Sequence, residues 1–144
     1  MFIRRENFKQ YISYYPVVST LLAINIIVYF ITIIPGIGDQ VFWWGMSINA
    51  AIEQGEWWRL VTAIFLHGSF THILFNAFSL FVFAPDLERL VGKWRFLIIY
   101  FASGLAGNIL TYIVQGPTYA SVGASGAIFG VFGAYAALVY YTRN

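Results

Sequence analysis

A serine set among glycines is the residue of this chain best placed to do covalent chemistry. It stands in the run Gly123-Ala124-Ser125-Gly126-Ala127-Ile128-Phe129-Gly130, continued by Gly133. Positions 123, 126, 130 and 133 fall on one helical face, and a face of glycines lets another backbone come close. Ser125 lies near the start of that helix, where backbone N–H groups lack intrahelical partners and the helix dipole favours developing negative charge. A nucleophile and part of an oxyanion hole could therefore come from a single turn. The same run also reads as a small-residue packing face in which Ser125 is one more small side chain.

Two further groups could serve such a nucleophile. His67, His72 and Asn76 fall in one uncharged stretch, and the spacing of four between His72 and Asn76 puts both on the same side of a helix. Side-chain donors inside a membrane are costly unless paired, which makes them candidates for function. They could hold a tetrahedral oxyanion, or they could simply hydrogen-bond between helices. Just before them comes Glu56-Trp57-Trp58-Arg59-Leu60. Arg59 could fix the shape of its loop by charge-assisted hydrogen bonds, or the Trp-Arg pair could only anchor the loop at a membrane surface. No metal is expected: the chain has two histidines and no cysteine, the H-E-x-x-H pattern is absent, and neither Asp nor Glu occurs in residues 60–85.

The elements that must position these residues follow from composition. The 144 residues are 60% hydrophobic and 10% charged, against roughly 25% charged in soluble domains. A soluble enzyme is thereby excluded, and the eight basic residues form no stripe that would suit nucleic acid. Charges act as punctuation, since one placed in mid-bilayer costs several kcal/mol. The first uncharged stretch is 11–38, with an apolar centre at 17–34 and a Pro35-Gly36-Ile37-Gly38 turn after it. Its basic flank and lack of a cleavage site point to an uncleaved anchor. Residues 39–59, with Trp43, Trp44, Trp57 and Trp58, read as an interfacial loop.

A second uncharged stretch is 60–85, whose first half is polar and of which only the second half looks lipid-facing, and a charged loop is expected over 86–95. The uncharged run 96–142 is too long for one crossing of ~30 Å, and Gln115-Gly116-Pro117 divides it into spans at 96–114 and 122–141. Four helices result. With a cytoplasmic amino terminus, Arg59 is the only one of eight basic residues outside. The Trp-rich loop, the 115–121 loop and the start of the fourth helix then face outward.

Together these pieces resemble the rhomboid family of intramembrane serine proteases, over about residues 16–141. The resemblance rests on Trp58-Arg59, on His67, His72 and Asn76, on Leu87-Glu88 followed by Gly92, and on Gly123-Ala124-Ser125-Gly126, all in the family's order. It implies an all-α membrane protein: a rhomboid-like helical bundle with about four transmembrane helices present and later helices missing. Residues 1–15 would be a cytoplasmic amino-terminal segment and 16–144 the transmembrane domain, in the cell membrane. By resemblance Ser125 is the nucleophile, His72 and Asn76 are oxyanion donors, and His67 belongs to the surrounding hydrogen-bond network. Gly123, Gly126, Trp58 and Arg59 would support the site. The partners implied are the bilayer and a transmembrane protein substrate, cut near the outer face, with no cofactor and no nucleic acid.

One departure stands out. The family's general base is a histidine on a later helix, and this chain ends at Asn144 with both histidines matched to other roles. A serine hydroxyl needs its proton removed as it attacks. Residues 1–144 alone are therefore expected to be inactive, completed by further helices of the same protein, one of which would cover the Gly123, Gly126, Gly130 and Gly133 face. The competing expectation is a rhomboid-like pseudoprotease that binds transmembrane clients without cleaving them. A transporter fragment fits less well, because the polar candidates all lie toward one side.

Overall fold

The computed structural model describes residues 4–142. A short helix α1 (Phe8–Tyr14) leads into α2 (Pro16–Thr32). A segment of short elements follows as α3 (Ile37–Gly45), a two-residue strand β1 (Ser47–Ile48), α4 (Asn49–Glu53), α5 (Arg59–Thr62) and a 3-10 turn (Ala63–Phe65). Three long helices complete the chain, α6 (Phe70–Val91), α7 (Lys93–Val114) and α8 (Ser125–Thr142), with β2 (Ala120–Ser121) between the last two. By length and apolarity α6, α7 and α8 can each cross a membrane. The 17 residues of α2 rise about 25 Å at 1.5 Å per residue, the lower end of a span. The protein is an all-α, multi-pass membrane protein.

α1 turns through 110° into α2. It starts with a capping box, in which the Asn7 side chain accepts from Gln10 N and the Gln10 side chain accepts from Asn7 N. No side chain of its own caps α2. Pro16 occupies its first turn, and the two N–H groups behind it, of Val17 and Val18, donate to the Glu88 carboxylate at 3.0 and 2.8 Å. Glu88 is 3% exposed, so a buried anion meets the positive end of a helix dipole and two orphan donors at once.

This changes the expected boundaries of the second span. Residues 86–95 are not a loop: α6 continues through Pro85 to Val91, and Gly92, at φ +86°, makes the turn into α7. A proline inside a helix leaves the carbonyl four residues back without its donor. Here that carbonyl belongs to Phe81, and the Tyr11 hydroxyl of α1 donates to it at 3.1 Å. The adjacent Val82 carbonyl accepts from the Arg4 guanidinium. Neighbouring elements thus satisfy what Pro85 frees, the condition for a kinking residue within a membrane helix. At its other end α6 starts at Phe70 rather than at residue 60, because Ser69 Oγ accepts the His72 N–H at 3.1 Å and caps the helix there.

The core lies where α2, α6, α7 and α8 meet, around Val18, Leu80, Leu87, Phe96, Tyr100 and Val131. α8 packs most extensively on α7 and also lies against α6, and α2 runs beside α6. The glycine face of α8 is used here. A β-carbon on Gly130 would lie 1.9 Å from Ser103 Oγ of α7, and the Gly126 Cα comes 3.8 Å from the position of a β-carbon on Gly107. α7 therefore fills this face at Gly126 and Gly130, contrary to the expectation that it awaits a later helix. At Gly133 nothing lies within 4 Å.

Replacing Glu88 by Leu leaves the Val17 and Val18 donors buried without an acceptor, at a cost of about 1–3 kcal/mol each. Thermal unfolding in detergent should show a marked fall in Tm for Glu88→Leu and a smaller one for Glu88→Gln, which keeps one acceptor. A Leu variant melting like the parent would contradict the capping role.

Candidate functional site

The site lies where the start of α6 meets the start of α8, and the segment from α3 to the 3-10 turn holds both in place. Arg59 is 5% exposed. Its guanidinium pairs with Glu56 and donates to the carbonyls of Trp43 and Met46 at 2.7 and 2.8 Å. Of the two roles considered for Arg59, shaping the loop is the one observed. Trp58 stacks on Trp44 with ring centroids 5.2 Å apart, and all four indoles of the segment are exposed, as indoles at an interface are. Thr62 Oγ1 adds a 2.7 Å bond to the Gly45 carbonyl.

This braced segment in turn carries the chain toward Ser125. β1 pairs antiparallel with β2, Ser47 opposite Ser121 and Ile48 opposite Ala120. Buried Asn49 directs its side-chain amide at the carbonyls of Tyr112, Gln115 and Gly116, and the Asn108 amide of α7 donates to the Leu60 carbonyl. Gly123 N donates to the Ala63 carbonyl at 2.8 Å, with Gly123 at φ +129°. Only glycine adopts that backbone readily, and α8 begins two residues later. The Ala124 carbonyl accepts the first helical bond, from Ile128 N. The intervening N–H groups, Ser125 among them, have no helical acceptor.

In front of Gly123 the side chains converge. A β-carbon there would lie 2.6 Å from both Cε1 and Nε2 of His72 and 3.7 Å from Ser125 Oγ. The imidazole edge and the hydroxyl thus share one small space that exists because residue 123 has no side chain. Asn76 sits one turn further along α6, buried, and its Nδ2 has no hydrogen-bond partner among the described residues. A buried donor left unpaired calls for an explanation. His67 is 2% exposed and stands not on the helix but on the linker before it, its ring edge-on to His72 at 5.1 Å. Burial, together with the His72 ring, holds its imidazole below the usual histidine range, at about 4. Its observed contact with the site is the edge-on approach of its ring to that of His72.

Ser125, His72 and Gly123 are thus brought together, with Asn76 and His67 adjoining, whereas Gly126 belongs to the α7 contact and Trp58 and Arg59 to the brace. The chain matches the Rhomboid domain family over residues 54–144. It belongs to the rhomboid family. Among its rhomboid relatives, the Bacillus subtilis protein named "Putative rhomboid protease YdcA" is 48% identical over 147 residues, a match covering all of this chain and 72% of that protein. Rhomboid protease GluP of the same organism is 41% identical over 116 residues, covering 78% of this chain and 22% of its own length. Rhomboid-type serine protease 2 of Emericella nidulans is 34% identical over 100 residues, covering 69% of this chain and 20% of its own.

Sequence reasoning passed over two side chains on which this rhomboid site depends, Asn49 and Asn108. Both are amides in predominantly apolar surroundings, and that incongruity was the available signal. The glycine at 123 yields the sharpest test. Gly123→Ala adds a strained backbone to a clash with His72, worth about 2 kcal/mol or more, and should lower Tm more than Gly133→Ala, where there is room. Equal Tm changes would contradict the close approach of His72.

Proposed function

We propose that the chain carries the nucleophile and oxyanion donors of an intramembrane serine endopeptidase that cuts transmembrane segments of other membrane proteins near the outer face of the bilayer. The observation that supports this most directly is the shared space in front of Gly123, reached by Ser125 Oγ and the His72 imidazole at the start of α8. As Ser125 Oγ attacks the scissile carbonyl carbon, its proton passes to a base and the negative charge falls on the carbonyl oxygen. Free N–H groups in the first turn of α8, the His72 imidazole and the unpaired Asn76 amide supply donors for that oxygen. The base is a histidine outside residues 1–144, since the chain has only His67 and His72, one buried beside the other on the donor side of the site. The amino terminus lies in the cytoplasm, so that seven of eight basic residues stay inside and the site opens outward.

In the full-length protein His72→Ala and Asn76→Ala should each lower turnover of a transmembrane substrate by about 10-fold or more, as the loss of an oxyanion donor does. Unchanged turnover in both single variants and in the double variant would remove them from the mechanism. Residues 1–144 alone should not cleave. Cleavage by that segment, abolished by Ser125→Ala, would overturn the placement of the base.

A further inference from the structure

α1, α2 and α6 enclose an open groove of about 810 Å³, within the size range of ligand sites. Its lining is almost wholly apolar and includes Phe8 and Ile12 of α1, Thr20 and Ala23 of α2, and Ala77 and Phe78 of α6. The Thr20 hydroxyl is turned back onto the Pro16 carbonyl and the Tyr11 hydroxyl is engaged with Phe81, so of the lining hydroxyls only Ser19 Oγ, buried, is without a partner among the described residues.

The groove has direction. α1 lies across one end, at the 110° bend, and the α2 residues of the lining run from Pro16 to Ile26, about 15 Å along the helix axis. That is half of a ~30 Å hydrocarbon core, the depth of one leaflet. At the α1 end the charges are unequal. Arg4 pairs with Glu6 and stacks over Tyr11 and Tyr15, whereas Arg5 and Lys9 are exposed. Lys9 adjoins Phe8 and lies one turn from Ile12, two residues of the lining. An apolar slot one leaflet deep, with exposed Lys9 on the helix that crosses its end and exposed Arg5 just before that helix, complements the shape and charge of an anionic phospholipid.

We propose that this groove binds an anionic phospholipid, one acyl chain lying along α2 and α6 beneath α1 and the phosphate headgroup held by Arg5 and Lys9. The lipid would fix the angle between α1 and α2. That angle bears on Glu88 and on the Tyr11 bond to Phe81, both of which meet the chain at the bend.

The test uses the full-length protein in nanodiscs containing phosphatidylglycerol or phosphatidylcholine analogues with a photoactivatable diazirine on the acyl chain. Crosslinks are mapped by mass spectrometry. The phosphatidylglycerol analogue should label Ala77, Phe78 or Ile12 at least about fivefold more than the phosphatidylcholine analogue, as each surface cation favours an anionic lipid by about that factor. The double variant Arg5→Gln/Lys9→Gln should bring phosphatidylglycerol labelling down to the phosphatidylcholine level. Ala23→Phe, which fills the groove, should abolish labelling by both. The charge variants alter only exposed side chains, so they carry the test if the groove variant fails to fold. Equal labelling of the parent by both lipids, undiminished labelling of the charge variant, or a groove reached by neither lipid because another protein segment fills it would each overturn the proposal.

Discussion

A bilayer offers no water to a polar group that leaves its partner, and each such group must find one within the protein. The interaction on which this molecule depends most visibly for that is the Glu88 carboxylate on the first turn of α2. A buried anion and two buried donors would each be costly alone. Joined, they fix where α2 begins and against which helix. The same demand governs α6 around Pro85, where Tyr11 and Arg4 donate to the carbonyls of Phe81 and Val82. The amino-terminal helix is thereby tied to the middle of α6.

The segment from α3 to the 3-10 turn follows the same logic. Arg59 collects carbonyls of the Trp-rich segment, Asn49 collects carbonyls of the 112–116 turn, and β1 holds β2. None of these groups touches the reacting atoms, yet between them they determine where Gly123 stands relative to His72. In a rhomboid site assembled from the ends of two helices, a small error in either end would separate hydroxyl from imidazole. A rigid brace of backbone hydrogen bonds is the device that prevents it, and site precision of this kind depends on the supporting shell.

How far the sequence foretold this depends on the residue. The spans at 96–114 and 122–141 came close to α7 and α8, because uncharged apolar runs leave few alternatives in a membrane. At both ends α6 departs from the expected second stretch. Glu88 is charged and buried, because its partners are backbone N–H groups of a helix 70 residues away, which no local pattern reveals. At the other end, the apolar character of residues 60–66 concealed a short helix and a 3-10 turn that Gly68 and Ser69 cut off from α6. The glycine spacing on α8 correctly signalled a close-packed face. It could not say which helix would fill it, and α7 does so through Ser103, Gly104 and Gly107. Ser125, His72 and Asn76 stood out as candidates by type and spacing, and the resemblance to the rhomboid family lent them roles, whereas the space shared by Ser125 and His72 required the backbone at Gly123.

The central claim is that Ser125 is the activated nucleophile of this arrangement. A fluorophosphonate probe, applied to the full-length protein and followed by peptide mapping, addresses it directly because the reaction requires an activated serine and no knowledge of the substrate. A covalent adduct on the peptide carrying Ser125, absent from Ser125→Ala, is the predicted result. A proteolytically active preparation that takes up no probe at Ser125, or takes it up equally in Ser125→Ala, would contradict the claim.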